Sequence, residues 1–308
     1  MRAFAELVDR LDATTSTRAR TDALADWFGQ VPPREGAWAL WILTGQKLPR
    51  LVRSTDLRRW AADHIGMPDW LFEECYATVG DLAETIALLV DQGGNSAEEE
   101  VPLHVWMEDR LPALRGLDAE GQQAMVRRWW EGLTGRGLFV VGKLLTGGWR
   151  IGVARTLVER GLAQAAGVDS TVITARLMGQ WTPSASLFEG CMAPGTISLR
   201  DPSQPLPFFL ASPLEGNPED TLGAMDGWYA EWKWDGIRGQ LVRRQGRTWL
   251  WSRGEELVTE RYPELEALGE ALPDGTVLDG EILAWRDGRP APFADLQHRI
   301  GRKKPGRA

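Results

Sequence analysis

The feature that most constrains what this chain can fold into is the placement of its prolines. Pro202, Pro205, Pro207, Pro213 and Pro218 crowd one stretch that begins after Pro194. Proline inside a helix removes a backbone donor and clashes with the preceding turn, so no long helix crosses this stretch, which reads as a linker or the entry to a second domain. Before it the texture is helical. Phe4, Leu7, Val8 and Leu11 have the spacing of one helix face. Thr17 is placed to cap a second helix through Ala23, Leu24 and Trp27, with Gly29 and the Pro32-Pro33 pair ending it. Asp81-Leu82-Ala83-Glu84 outlines an N-terminal cap before Ile86, Leu89 and Val90, and the polar run 92–100 reads as a loop. Val153, Leu157, Val158, Leu162 and Ala165 form another stripe, with Gly167 as its stop. After Trp228 the texture is strand and turn. The 308 residues suffice for two cores, and the expected division is a helical domain over 1–200 and a mixed one over 201–308. No internal repeat is evident.

The strand-and-turn region carries the chemistry. Glu231-Trp232-Lys233-Trp234-Asp235-Gly236-Ile237-Arg238 sets a lysine between two carboxylates, then an arginine, around an Asp-Gly turn. If the segment is a strand, Glu231 and Lys233 share one face while Trp232 and Trp234 point into packing on the other. A lysine attacks only after losing a proton, which burial or nearby cations promote; Arg238 and a bound metal would supply that positive surrounding. Asp-Gly between alternating apolar residues is equally an ordinary hairpin signal. Two further elements follow: Trp251-Ser252-Arg253-Gly254-Glu255, then Val277-Leu278-Asp279-Gly280-Glu281-Ile282-Leu283. In the last, Val277, Asp279, Glu281 and Leu283 fall on one face of an extended run. A carboxylate there is suited to Mg²⁺, which takes oxygen ligands and substrate phosphates; an acidic residue at a solvated strand edge is the alternative. Asp287-Gly288 reads as a turn, making Val277 to Trp285 one arm of a hairpin.

The helical region holds a decoy and a candidate. Gly137-Leu138-Phe139-Val140-Val141-Gly142-Lys143-Leu144 nearly fits a phosphate-cradling P-loop, but Leu144 stands where that loop needs Ser or Thr for Mg²⁺. Leu145-Thr146-Gly147-Gly148-Trp149-Arg150-Ile151-Gly152-Val153 sets three glycines around one arginine ahead of a helix. Such a loop lets backbone N–H groups approach a phosphate closely; a plain helix–helix turn is the other reading. The net charge of −8 does not decide between them, because nucleic-acid binding needs only a local basic surface. Candidates are Arg127-Arg128, the stretch with Lys143, Arg150 and Arg155, and Arg302-Lys303-Lys304. The sixteen tryptophans fit either base stacking or cores. Cys75 and Cys191 suit a reducing compartment, and three dispersed histidines argue against a zinc site. No apolar run is long enough to span a bilayer, and the N-terminus lacks a signal-peptide core.

Taken in order, the three elements resemble the nucleotidyltransferase motifs of ATP-dependent DNA ligases. Leu43-Thr44-Gly45-Gln46, Gly80 to Thr85 and Leu145 to Val153 look like the all-helical DNA-binding domain of the multidomain bacterial members. The resemblance implies a multidomain fold, an all-α N-terminal DNA-binding domain followed by an α+β nucleotidyltransferase (ATP-grasp-like ligase core) domain. It implies Lys233 as the residue that takes AMP, Glu231 as the adenine contact, Arg238 and Arg253 as ribose and phosphate contacts, and Glu281 as the ribose and metal-step residue. ATP and Mg²⁺ are the implied cofactors, and nicked duplex DNA is the implied partner of a monomeric, cytoplasmic, nucleoid-associated protein working beside other repair proteins. The implied reaction seals 5′-phosphate/3′-hydroxyl nicks through lysyl-AMP, in repair, recombination or replication. The family continues with a Phe-Asp strand, a Glu-Gly motif, a Lys-x-Lys motif and an oligonucleotide-binding domain, so the adenylation domain is expected to be incomplete at its C-terminus. Two alternatives stay open. One is a non-catalytic DNA-binding fragment of a ligase; the other, disfavoured by the long helical region, is an RNA ligase or capping-type nucleotidyltransferase.

Overall fold

The computed structural model describes the chain apart from residues 47–49, 92–100, 148, 150–151, 197–201, 209–210, 212, 230, 301 and 303–308. It divides into two compact units, Met1–Ile173 with Thr182–Thr196, and Thr174–Trp181 with Ile197–Ala308.

The helices run α1 (Arg2–Asp12), α2 (Thr17–Phe28), α3 (Pro33–Leu43), α4 (Ser54–Ile65), α5 (Asp69–Val79), α6 (Leu82–Val90) and α7 (Leu103–Val105). A π-helical turn (Trp106–Arg110) leads into α8 (Leu111–Ala113), α9 (Ala119–Gly132), α10 (Gly135–Thr146), α11 (Arg155–Ala166), α12 (Ser170–Leu177) and α13 (Ala185–Met192). The stripe of α1 is buried as its spacing requires, and each such side chain contributes about 1.5–3 kcal/mol. Asp81 caps α6, accepting the Glu84 N–H at 3.0 Å, and Gly167 ends α11 with φ 65°. Two expectations need adjusting. Ser16, not Thr17, caps α2, its hydroxyl accepting the Ala19 N–H, because the capping residue must itself be non-helical. Pro33 also opens α3, where a missing N–H costs nothing.

Helix pairs α2·α11 and α6·α10 form much of the first unit's packing. A Cβ on Gly161 would run into the Leu24 side chain and lie 3.3 Å from the Thr21 carbonyl, so glycine sets how closely α11 approaches α2. The decoy stretch is helix α10, buried from Gly137 to Leu145, and its Gly142 abuts Ala83 of α6 rather than a phosphate.

In the second unit a short helix α14 (Pro218–Thr221) precedes the strands β1 (Ile237–Arg244), β2 (Arg247–Ser252) and β3 (Val277–Ile282), joined antiparallel in the order β2-β1-β3. Helix α15 (Pro263–Glu270) lies between β2 and β3 in sequence, and α16 (Phe293–Ile300) follows the strands. Leu241, Leu250, Val258, Tyr262 and Leu296 form the core on one face, with Leu265 and Phe293 against it. The alternate residues Gln240, Val242 and Trp251 are buried on the other face. There Trp251 Nε1 donates to Ser203 O at 2.7 Å. Gln240 both accepts from Leu206 N at 2.6 Å and donates to Leu206 O at 3.0 Å. Arg244 Nη1 donates to the Pro202 and Gln204 carbonyls. The proline-rich stretch at 202–206 is therefore a domain entry bound to the sheet and not a free linker: prolines that cannot donate leave carbonyls for side chains to satisfy.

Asp287 (φ 51°) and Gly288 (φ 75°) make the expected turn, joining β4 (Trp285–Arg286) to β5 (Arg289–Pro290). The single arm expected from Val277 to Trp285 is not formed: β3 ends at Ile282, and among the described residues β4 pairs only with β5. Among the described residues no helix is long and apolar enough to cross a membrane.

Candidate active site

Antiparallel pairing brings the start of β1, the end of β2 and the end of β3 to one end of the sheet. Arg238 pairs with Glu281, Gln240 with Asp279 and Gly239 with Ser252. Directly paired residues of antiparallel strands project to the same face. Arg238, Gln240, Asp279 and Glu281 therefore share the face opposite the helix-covered core. Arg238 Nε lies 2.7 Å from Asp279 Oδ1, an ion pair that keeps the guanidinium beside the carboxylate. The Arg253 N–H donates to the Arg238 carbonyl at 3.0 Å, continuing the ladder beyond β2. That end is held by Ser252, whose carbonyl accepts the Glu255 N–H at 2.9 Å and whose N–H donates to Glu256 O at 2.9 Å. Arg253 itself is exposed, while Glu281 is half-buried.

Lys233 stands on the approach to β1. Its registration depends on Gly236. A Cβ there would collide with the Ile282 carbonyl and lie 2.7 Å from Leu283 Cδ2 and 2.9 Å from Glu281 Cγ. Only a residue without a side chain lets the chain carrying Lys233 sit directly against the strand carrying Glu281. The Asp-Gly pair thus serves as a seat and makes no hairpin.

The strand expected over residues 231–235 is not formed. Regular pairing begins at Ile237, and Glu231 through Asp235 are exposed. Trp232 and Trp234 do not enter packing: they are 82% and 46% exposed, with ring centroids 6.5 Å apart. Without a strand beside them, alternation has no buried face to serve.

Among the described residues no group of three or more His, Cys, Asp or Glu is placed to hold a metal ion by itself. The donor set nevertheless suits Mg²⁺, which is often bound by one or two carboxylates plus substrate phosphates. Glu281 offers a carboxylate beside the two arginines, and Asp279 is engaged with Arg238.

The helical unit distributes its candidates differently. Lys143 is buried, its ammonium 2.5 Å from Asp81 Oδ2, so its charge is spent inside the unit. Arg155 Nε lies 2.7 Å from Glu159 Oε1 one turn along α11. Arg150 lies outside the described residues, as do Lys303 and Lys304. Arg127 approaches Asp63 at 3.9 Å. The structure brings together two loops that the sequence reading left apart. Leu51 N donates to Leu145 O at 3.3 Å, joining the segment before α4 to the end of α10. Each loop starts with the same Leu-Thr-Gly: Thr44 Oγ1 bonds Leu40 O at 2.7 Å and Thr146 Oγ1 bonds Gly142 O at 3.0 Å. Gly45 (φ 79°) and Gly147 (φ 67°) then turn left-handed. This three-residue match is a shared turn and does not amount to an internal repeat of the chain. Also missed were Asp279 as the partner of Arg238 and Gln240 as the pin on Leu206. Their two-residue offsets from Glu281 and Arg238 were the available sign.

A family model described as DNA ligase N terminus matches residues 1–163, and one described as ATP dependent DNA ligase domain matches residues 208–307. A probable DNA ligase of Opitutus terrae is 36% identical over a stretch covering 52% of this chain and 19% of that protein. A probable DNA ligase of a Nocardioides species is 36% identical, covering 51% and 32%. A DNA ligase of Methanothermobacter thermautotrophicus is 32% identical, covering 50% and 28%. The chain spans about a fifth to a third of the length of these relatives.

Proposed function

This chain belongs to the ATP-dependent DNA ligase family, and from that premise we propose that its sheet unit loads AMP onto Lys233 while its helical unit holds duplex DNA. What supports the reading most is the meeting of Arg238, Arg253 and Glu281 at one end of the sheet, with Gly236 seating the Lys233 segment against the Glu281 strand.

The neutral Nζ of Lys233 attacks the α-phosphorus of ATP. The N–P bond forms as the bond to the β-phosphate bridging oxygen breaks, and pyrophosphate leaves. Arg238, held by Asp279, and the exposed Arg253 supply charge-assisted donors to the phosphate and ribose oxygens. Glu231 reads the adenine. Glu281 would help to hold Mg²⁺, which when bound would supply charge neutralisation on the triphosphate. The 5′-phosphate of a nick then takes AMP from Lys233, and the adjacent 3′-hydroxyl displaces AMP and closes the strand. The protein's part is alignment and charge stabilisation. On the helical side, the Gly-rich loop with Arg150 and the start of α11 with Arg155 meet phosphates of the duplex. Lys143, paired with Asp81, contributes by holding α10 against α6. The setting is a monomer at the nucleoid of the cytoplasm, acting in repair, recombination or replication beside other repair proteins.

The exposure of Lys233 favours one competing reading, a DNA-binding chain that does not itself take up AMP. Incubation of the protein with ATP, Mg²⁺ and a nicked duplex bearing a fluorescent 5′-phosphate strand separates the two. An AMP-capped or sealed product that disappears in Lys233→Ala is the expected result. Retention of the nicked duplex with no product and no gain in protein mass supports the competing reading.

A further inference from the structure

Exposed aromatic side chains are distributed unevenly over the chain. Among the described tryptophans of the helical unit only Trp70 is exposed, whereas Trp228, Tyr229, Trp232 and Trp234 all stand exposed in the sheet unit, the last two on either side of Lys233. Trp228 is tied back, its Nε1 donating to Leu222 O at 2.7 Å. Trp232 and Trp234 are held differently. The Trp234 N–H donates to the Trp232 carbonyl at 3.2 Å, closing a three-residue turn with Lys233 at its centre. The turn draws the flanking residues together, and their rings stand 6.5 Å apart with planes at 46°. Two residues further on, Gly236 seats the segment against Ile282 and Glu281, which gives the ring pair a fixed base.

An indole left in water forgoes a burial that contributes about 1.5–3 kcal/mol for a large apolar side chain. Two of them beside a nucleophile suit a partner that binds aromatic faces, and nucleobases do: stacking contributes about 1–3 kcal/mol per base. The angle between the rings decides how a base is met. A slot that clamps one base needs near-parallel rings about 7 Å apart, twice the contact distance. Rings at 46° are splayed and form a platform.

The position of Lys233 decides which base. In the second step of the proposed reaction an oxygen of the 5′-phosphate attacks the phosphorus of lysyl-AMP. The O–P bond forms as the N–P bond breaks, and Nζ of Lys233 keeps the electron pair and takes up a proton. The 5′-terminal nucleotide must therefore reach the atom that Lys233 carries. Residues 232 and 234 have their Cα atoms about 3.8 Å from that of Lys233, so the base of that nucleotide arrives within reach of their rings.

We propose that Trp232 and Trp234 are the stacking platform for the 5′-terminal base at the nick, and that they hold its phosphate for AMP transfer from Lys233. The proposal rests on the reading of Lys233 as the residue that takes AMP.

The full chain is compared with Trp232→Ala, Trp234→Ala and Trp232→Phe in two separate steps: uptake of labelled AMP from ATP alone, and its transfer to the 5′-phosphate of a nicked duplex. In each alanine variant transfer should fall about tenfold more than uptake, the loss of one stacking contact, and Trp232→Phe should recover most of the difference. A duplex whose 5′-terminal nucleotide lacks its base removes the partner instead. The unaltered chain should serve it about tenfold more slowly, with no further loss from the alanine substitutions. Equal falls in uptake and transfer place the rings on ATP or on the lysine and overturn the proposal; so does an alanine effect that persists on the abasic end. A nicked duplex with 2-aminopurine as its 5′-terminal base reads stacking without any transfer of AMP. If the unaltered chain takes no AMP, the reading of Lys233 has failed and the transfer role with it. Quenching of the 2-aminopurine that is lost in the alanine variants then still supports the stacking contact, and equal fluorescence with all the chains overturns that as well.

Discussion

The two units use their charged side chains in opposite ways. In the helical unit several are spent on internal fastening. Lys143 closes on Asp81. Glu35 accepts the Leu103 and His104 N–H groups at 2.7 and 2.8 Å, and Glu108 takes Arg34 together with Trp38 Nε1. In the sheet unit one ion pair, Arg238 with Asp279, sits on a face that also presents Glu281, and Arg253 and Lys233 stand exposed at its end. A residue that must meet a substrate has to leave its charge available. A residue that holds helices together has to neutralise its charge within reach. The difference teaches that a lysine beside glycines is not a functional lysine by composition: Lys143 and Lys233 look alike in sequence and differ in what lies within a few ångströms.

The sharpest way to break this comparison is to remove Asp81. Asp81→Ala leaves the Lys143 ammonium buried without its partner and takes the cap from α6, and should lower stability by about 3 kcal/mol. Denaturant titration reads the loss. A change near zero would mean that Lys143 reaches water and is open to other partners. Next comes Gly236→Ala, where the added methyl pushes the Lys233 segment off the Glu281 strand. AMP uptake should drop about a hundredfold, the usual consequence of displacing a reacting group by an ångström. Uptake at the normal rate would mean that the segment is not seated on β3 when ATP is bound. Asp279→Asn keeps the shape and removes the charge that orients Arg238, with an expected fall of about tenfold in the rate of uptake. If KM for ATP rises in proportion, Arg238 acts on ground-state binding; if the rate alone falls, it acts at the transition state.

The smallest effect concerns acid. Burial alone would raise the Glu108 carboxyl, but hydrogen bonds from Arg34 and Trp38 outweigh it and hold Glu108 below the ordinary carboxylate range. A depressed carboxyl stabilises the fold above its unfolded value, and that stabilisation is lost as pH falls through the folded one. Glu108→Gln should therefore melt slightly below the unaltered chain at neutral pH, with the gap closing below about pH 4. A gap independent of pH would assign the effect to shape alone.

Much of the sheet unit was legible because its chemistry is contiguous in sequence. Lys233 to Arg238, Trp251 to Glu255 and Val277 to Leu283 each carry a full pattern, and antiparallel pairing needs only short-range rules to bring them together. The reading failed at Trp232 and Trp234, where alternation was taken for a strand although no partner strand lies beside them. It failed also at Val277 to Trp285, one extended pattern in sequence that divides between two sheets. In the helical unit the stripes and caps were legible, since local periodicity and hydrogen bonding determine them. The bonds from Arg20 to the Leu11 and Gly152 carbonyls were not. One of these acceptors lies 132 positions away, and a backbone carbonyl leaves no residue-type signal.

We propose that Lys233, on the segment that Gly236 seats against the Glu281 strand, takes AMP covalently. The most direct measurement is incubation with α-labelled ATP and Mg²⁺, a denaturing gel, and peptide mapping of any labelled band. The account predicts label on the peptide containing Lys233 and none in Lys233→Arg, which keeps the charge but cannot lose its proton at working pH. Label that persists in Lys233→Arg, or maps to another peptide, would contradict it.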